Sequence, residues 1–402
     1  MNAELIAKSS NKIVQTTEFL DVLSKCIASP DKAYSLPPAC YSDQSVFETE
    51  IETIFHGSWI SVGRADRLPK SGDYRTLDIA KSPTIIVRDE QGKLRAFANS
   101  CRHRGARLLD GEGTCRVIRC PFHSWTYKLD GSLMGASKME LTKNFEKSNH
   151  GLVEFAIAER LGFAFVCMSG EPEDIDSRLG DFEQLHKFWH LASFTTTRHR
   201  KFEVNCNWKC FLDVFNEHYH LQFVHPNTIA NVYETPHAAD KTSGSYASQY
   251  GETSGTGGLL EGQEEYGLPL IPNLEKKLEN GVRYTWVFPN MTFAIGADAL
   301  WIYETYPLGP GRCEVHQTVC FPPETIELAD FEERVKYYYH RMDAAIQEDI
   351  PALENQQKGL SSVFARPGRF SAHLEANVAA FAKWYAEELL QRPLAKPRLA
   401  VD

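Results

Sequence analysis

Four residues in two tight clusters carry the clearest chemistry in this chain. Cys101-Arg102-His103 is followed, sixteen residues later, by Cys120-Pro121-Phe122-His123. Each cluster pairs one thiol with one imidazole, as Cys-x-His and Cys-x-x-His. Four such ligands suit either a tetrahedral zinc or a [2Fe–2S] centre in which two imidazoles replace two thiolates on one iron. Zinc ribbons usually space both halves as Cys-x-x-Cys or place both imidazoles in the second half. A mixed-ligand cluster needs the pattern found here, because each loop gives its Cys to one iron and its His to the other. The spacing therefore points to a mixed-ligand [2Fe–2S] cluster, bound by Cys101, His103, Cys120 and His123.

A second ligand set follows Asn207-Trp208-Lys209 and comprises Asp213, Glu217, His220 and His225, the last next to Pro226. At about 100° per helical residue, Asp213, Glu217 and His220 fall within roughly 60° of one another. His225 sits where a helix should stop, since Pro226 biases its predecessor away from the α region. Two imidazoles and a carboxylate with open positions are the donor set of non-haem Fe(II). An acidic, solvated helix face with surface histidines accounts for the same spacing. A third ligand is suggested by helical phase. Phe331, Val335, Tyr338, Met342 and Ala345 step by three and four as a buried stripe, and Asp349 is its next position. An ionised carboxylate there is costly unless it meets a metal or a cation, so a buried Asp–Arg pair is the alternative. Glu348 and Asp343 lie about 100° off the stripe and read as solvated. Pro351 is expected to disturb the helix just beyond.

The elements that position these residues follow from the rest of the chain. Its 402 residues suffice for two or three domains, and 43% hydrophobic with 24% charged residues is ordinary globular composition. A net charge of −10 argues against a nucleic-acid footprint, and no run of about 18 apolar residues implies a membrane span. The opening Met1-Asn2-Ala3-Glu4-Leu5 lacks a signal-peptide pattern, and the cysteines outside the clusters show no framework spacing. They are expected reduced, in the cytoplasm.

Residues 1–44 read as a peripheral arm. A helix is expected from an N-cap at Ser42, with Phe47, Ile51, Ile54 and Phe55 on one face and Gly57 closing it. Hairpins are expected at 84–97 and 125–133, the second on an Asp130-Gly131 turn. The cluster loops thus project from a small antiparallel β domain, placed at 45–168. The polar stretch 169–181 separates it from a second domain over 182–402. There, Gly- and Ser-rich residues 238–266 read as a mobile loop or lid. Strands are expected at 282–288, 291–295, 299–306 and 313–321, then a long helix from about Ile326 and a last one over 372–391. A cationic substrate would want aromatic faces. Trp301, Tyr303, Tyr284, Trp286 and Phe288 nevertheless read as sheet core.

The flanks Arg102-His103-Arg104-Gly105 and Pro121-Phe122-His123-Ser124-Trp125 resemble Rieske loops. With Glu-x-x-His-x-x-x-x-His near 220, they resemble the oxygenase (α) component of Rieske non-haem iron oxygenases, over about 40–390. The resemblance implies an α+β fold: a Rieske antiparallel β domain plus a catalytic domain whose antiparallel sheet is covered by helices, helix-grip-like. It implies a [2Fe–2S] Rieske cluster on Cys101, His103, Cys120 and His123, and a mononuclear Fe(II) on His220, His225 and Asp349. It implies O2, a small-molecule substrate and an NAD(P)H-dependent flavin/[2Fe–2S] reductase. It also implies a head-to-tail homotrimer in which one subunit's cluster feeds its neighbour's iron through a bridging carboxylate. Glu217 matches that bridge, with Asp213 one turn earlier tuning the contact. Many aromatic-ring members carry Asp at the position of Glu217. With Cys-Arg-His-Arg-Gly, Asn-Trp-Lys and Phe381-Ala382-Lys383-Trp384-Tyr385, the Glu resembles the subgroup oxidising quaternary ammonium compounds such as carnitine, glycine betaine and choline. That implies hydroxylation next to nitrogen and C–N cleavage. An aromatic-ring dioxygenase α subunit and a Rieske electron-transfer protein are the competing readings.

Overall fold

The computed structural model describes Ile13 and residues 16–391. The chain divides into two compact units, one of Phe55–Ile175 and the other of the residues before and after it.

The 55–175 unit is antiparallel β. Its strands are β1 (Ile60–Arg64), β2 (Asp73–Ile79), β3 (Ser82–Arg88), β4 (Leu94–Ala98), β5 (Glu112–Thr114), β6 (Ile118–Arg119), β7 (Thr126–Tyr127), β8 (Leu133–Gly135), β9 (Glu154–Arg160) and β10 (Phe163–Cys167). Seven form a sheet in the order β1-β10-β9-β4-β3-β2-β5, and β6-β7-β8 form a second. Both expected hairpins are present. At the second, Asp130 accepts from the Ser132 N–H at 2.9 Å and Gly131 has φ +84°. A Cβ on Gly131 would meet the Phe97 ring at 2.5 Å, so both backbone angle and space require glycine.

The other unit holds a six-stranded antiparallel sheet. Its strands are β11 (Thr195–Val204), β12 (Tyr246–Glu252), β13 (Gly281–Val287), β14 (Met291–Ile295), β15 (Leu300–Gly309) and β16 (Arg312–Phe321), ordered β11-β16-β15-β14-β13-β12. The helices that matter for the site are α1 (Gln44–Glu50), α2 (Trp208–Phe215), α3 (Leu221–Val224), α4 (Phe331–Leu360) and α5 (Ala376–Gln391). α2 packs on β14, β15, β16 and α4, so the sheet carries the helices that bear the second ligand set. Trp286 stacks on Phe381 of α5 with centroids 4.0 Å apart, and Phe288 packs on Trp384, which makes these two aromatics core as expected.

Five expectations are corrected. The helix after Ser42 is capped by Asp43, which accepts from the N–H groups of Ser45 and Val46. That helix groups with the second unit, which moves the boundary from 45 to 55. The cause is Glu50, wholly buried against Lys209, Trp208 and Tyr385. Of the arm, residues 1–12, 14 and 15 lie outside the described residues. The rest is not peripheral, for Phe19, Leu23 and Cys26 are buried, and Arg369 donates to the Ala33 carbonyl at 3.0 Å. The stretch 238–266 is not all loop. Its Tyr246–Glu252 is edge strand β12, paired in register with β13. Its small polar residues bury because they find partners: Gln249 donates to the carbonyls of His237 at 2.7 Å and His373 at 3.2 Å. Finally, α4 runs through Pro351 without a break.

Candidate metal centres

The two cluster loops share one backbone design. The Cys101 N–H donates to the Ala106 carbonyl and the Gly105 N–H to the Cys101 carbonyl. In the second loop the Cys120 N–H donates to the Trp125 carbonyl and the Ser124 N–H to the Cys120 carbonyl. The fourth residue after each Cys, Gly105 at φ +73° and Ser124 at φ +58°, turns the chain in the left-handed region. The thiols sit at the loop bases, Cys101 and Cys120 being 3% and 2% exposed, whereas His103 and His123 are exposed at the tips. The imidazoles converge, with Nδ1 to Nδ1 3.2 Å. His103 stacks on Trp125 with centroids 4.9 Å apart, which fixes its ring. Tyr127 places its hydroxyl 3.3 Å from the Cys101 sulfur and accepts from the Arg102 N–H at 3.0 Å. Desolvation, then the neighbouring His123 and Arg104, lowers the pKa of His103, which favours the neutral ring a metal requires. Two inner thiols and two outer imidazoles fit a mixed-ligand [2Fe–2S] cluster, with sulfur on one iron and nitrogen on the other.

The second ligand set is built differently from the single helix face expected. α2 starts at the Asn207 cap and ends at Asn216, whose amide donates back to the Leu212 carbonyl at 2.7 Å and whose Oδ1 accepts from Thr292 at 3.0 Å. Glu217 therefore leaves the helix. Its Oε2 accepts the backbone N–H groups of Tyr219 and His220, capping the turn that opens α3. Its Oε1 takes the Nδ1–H of His220 at 2.6 Å. His225 ends α3 as expected, 1% exposed, and gives its Nδ1–H to Glu348 Oε2 at 2.7 Å. Thr228 donates to that same oxygen at 2.6 Å.

With both Nδ1 protons held by carboxylates, the Nε2 lone pairs point inward. They lie 3.2 Å apart, and Asp349 Oδ1 is 3.0 Å from His225 Nε2 and 3.7 Å from His220 Nε2. Among the described residues, His220, His225 and Asp349 are the one group of three whose ligand atoms lie within 4.8 Å of one another. With those tautomers, three acceptors facing a common point fit a divalent cation. Burial pulls the pKa of His225 down, but Asp349 and Glu348 outweigh it and the net shift is upward.

The remaining expectations divide. Asp213 sits on α2 but makes no hydrogen bond to Glu217. Its Oδ2 accepts from the Tyr41 hydroxyl at 3.2 Å, and its Oδ1 is buried without a partner. Burial raises its pKa to about 7 against the pull of Lys209 and Tyr41. The fold thus takes up a proton between about pH 4 and 7, and stability from this group falls as pH rises through that window. Asp213→Asn should leave the melting temperature nearly unchanged at pH 4 and raise stability at pH 8 by about 2 kcal/mol, a partly exposed edge halving the full effect. Equal melting shifts at both pH values in calorimetry would refute the raised pKa.

Glu348, expected solvated, is instead the partner of His225, and Asp343 is paired with Arg198 and Arg200. The pocket beside His220, His225 and Asp349 is walled by Phe211, Phe215, Tyr284 and Tyr303, so two aromatics read as sheet core also face the site. His218 and Arg341 line it too, and sequence reasoning missed both. Arg341 carried a signal, since it stands on the ladder 338-341-345-349 where a charge is as costly as at Asp349.

The comparisons agree with this division. Residues 58–146 match the Rieske [2Fe-2S] domain, and 191–391 match the ring hydroxylating alpha subunit catalytic domain. The chain is 29% identical to the glycine betaine monooxygenase oxygenase subunit of Chromohalobacter salexigens, over 89% of this chain and 86% of that one. It is 30% identical to the carnitine monooxygenase oxygenase subunit of Acinetobacter pittii, over 83% and 87%. The solved quaternary ammonium Rieske monooxygenase CntA superposes with a TM-score of 0.79 at 27% identity, covering 91% of this chain and 98% of that one. These domains bring a Rieske [2Fe–2S] cluster and a mononuclear iron, and such an oxygenase subunit draws its electrons from a reductase partner. The chain belongs to the Rieske non-haem iron oxygenases, as an oxygenase subunit with a ring-hydroxylating alpha catalytic domain.

Proposed function

We propose that this chain is the terminal oxygenase that hydroxylates a small quaternary ammonium compound at a carbon next to nitrogen, in the cytoplasm. O2, two electrons and two protons give a carbinolamine and water. The carbinolamine then loses its hydroxyl proton and breaks its C–N bond, releasing a tertiary amine and an aldehyde. The electrons come from an NAD(P)H-dependent reductase carrying flavin and a [2Fe–2S] centre. The observation that carries the reading is the convergence of both Nε2 atoms and Asp349 on one point, with both Nδ1 protons held away. Iron held by these three side chains would supply the chemistry that activates O2.

Each residue then has a task. His220, His225 and Asp349 are the iron ligands. Glu217 and Glu348 fix the imidazole tautomers and raise their basicity. The exposed tips of His103 and His123 are the electron exit from the cluster that Cys101 and Cys120 anchor. In a head-to-tail homotrimer, Glu217 bridges a neighbour's cluster imidazole to His220. The aromatic walls suit a cationic ammonium group.

Oxygen and NADH consumption, with a matched reductase, tests the reading across carnitine, glycine betaine, choline and aromatic acids. Uptake coupled to aldehyde release from a quaternary ammonium compound is expected; coupled oxidation of aromatic acids alone overturns it. Glu217→Gln should lower turnover by about 10- to 100-fold while the cluster's visible and EPR spectra stay unchanged. Turnover like that of the unmodified protein would remove Glu217 from the bridge.

A further inference from the structure

Arg341 stands on α4 two turns before Asp349 and lines the same pocket. Its side chain is nearly closed off, at 3% exposure. A guanidinium stays charged at every accessible pH, so a buried one needs an answer to its charge. Other buried cations in this unit have one: Lys209 pairs with Glu50, and Arg178 with Glu388 at 3.0 Å. Arg341 pairs with no carboxylate among the described residues. Its neighbours are neutral: it donates to the Tyr233 hydroxyl, and its charge lies 5.2 Å from the centroid of Trp301 and 5.7 Å from that of Tyr233. Its Nε has no hydrogen-bond partner at all. The Tyr233 hydroxyl also accepts from Tyr284 at 2.8 Å and donates to the Gly257 carbonyl at 3.2 Å, so it is saturated and cannot offset the charge further. His218 lines the pocket with both ring nitrogens buried and unpartnered, although one must carry a proton.

We propose that Arg341 binds an anionic group of the substrate, so that the molecule oxidised is a zwitterion bearing a carboxylate as well as its quaternary ammonium. This rests on the reading of the chain as a quaternary ammonium oxygenase. A simple cation would enter the pocket against a buried positive charge. A carboxylate on the same molecule reverses the sign, since it meets a planar fork of donors that it can engage through both oxygens. The ammonium end is left to the aromatic faces. Choline, a cation without a carboxylate, should therefore be a poor ligand.

The test is calorimetric binding to the cluster-loaded protein without reductant, so that no turnover intervenes, followed by oxygen-uptake kinetics. The probes are glycine betaine, L-carnitine, choline, the methyl esters of the two acids, and benzoate as an aromatic carboxylate. Unmodified protein should bind the better acid at least about tenfold more tightly than choline or its own ester. Arg341→Gln should weaken that acid on the order of 100-fold, in Kd and KM rather than kcat, and tighten choline, whose charge it no longer opposes; Arg341→Lys should restore part of the loss. Equal binding of acid and ester by the unmodified protein overturns the proposal even if the variants fail to fold. So does an Arg341→Gln protein that keeps its affinity for the acid, or the absence of binding by any carboxylate. If only aromatic carboxylates bind, and do so through Arg341, the quaternary ammonium reading fails while the role of Arg341 stands.

Discussion

Replacing His225 with alanine should abolish coupled substrate oxidation, by about 1,000-fold or more, and remove one iron per chain while leaving the other two. His225 is the most enclosed of the three groups, and its Nε2 is within 3.2 Å of His220 Nε2 and 3.0 Å of Asp349 Oδ1. Without it, one imidazole and one carboxylate remain, too few donors to hold ferrous iron against water. The loss should be specific. Cys101, His103, Cys120 and His123 lie in the other compact unit, so the cluster's spectra should not change. Asp349→Asn should act the same way, since an amide oxygen is a weaker ligand with no charge to offset the metal's. Iron analysis beside the visible and EPR spectra decides the matter. If either variant retains all its iron and still couples oxygen uptake to product, these side chains are not the ligands.

The cluster loops were legible because their chemistry is local. Cys-x-His and Cys-x-x-His set two thiols and two imidazoles within two short loops, and loop closure at Gly105 and Ser124 needs nothing from elsewhere in the chain. The buried stripe of α4 was legible for a related reason, since phase alone placed Asp349 beside Ala345. The break after α2 was not legible. A period of 3.6 residues carries on through Asn216 and Glu217, and what stops the helix is tertiary: Thr292 holds the Asn216 side chain while Glu217 turns to cap the next segment. His220 reaches the site through that break, not along a helix face. Glu348 was misread because its partner, His225, is more than a hundred residues away in sequence. β12 was misread because Ser248 and Gln249 are loop-like by type, and their burial depends on partners that no local pattern reveals.

Glu50→Gln should cost about 3–5 kcal/mol of stability, which corresponds to a melting temperature roughly 6–15 °C lower. The side chains of Glu50 and Lys209 are both 0% exposed and paired, and the same carboxylate accepts the Trp208 indole N–H at 3.0 Å and the Tyr385 hydroxyl. The charge on Lys209 lies 4.8–5.2 Å from the ring centroids of Trp208, Tyr41 and Tyr385, which supports a cation but does not neutralise it. An amide at position 50 would leave that ammonium buried without a counter-charge. Putting methionine at Lys209 as well removes the orphan charge, so the double variant should recover most of the loss, as buried pairs replaced together by apolar groups commonly do. The effect reaches function through the chain's own path. Lys209 opens α2, whose far end delivers Glu217 and His220 to the iron site, so loosening its anchor should also let the mononuclear iron escape at lower temperature than the cluster. Calorimetry on the single and double variants tests the first point, and iron release on stepwise heating tests the second. A Glu50→Gln protein that melts within a degree of the unmodified one, or a double variant as damaged as the single, would show that this pair does not anchor the helix.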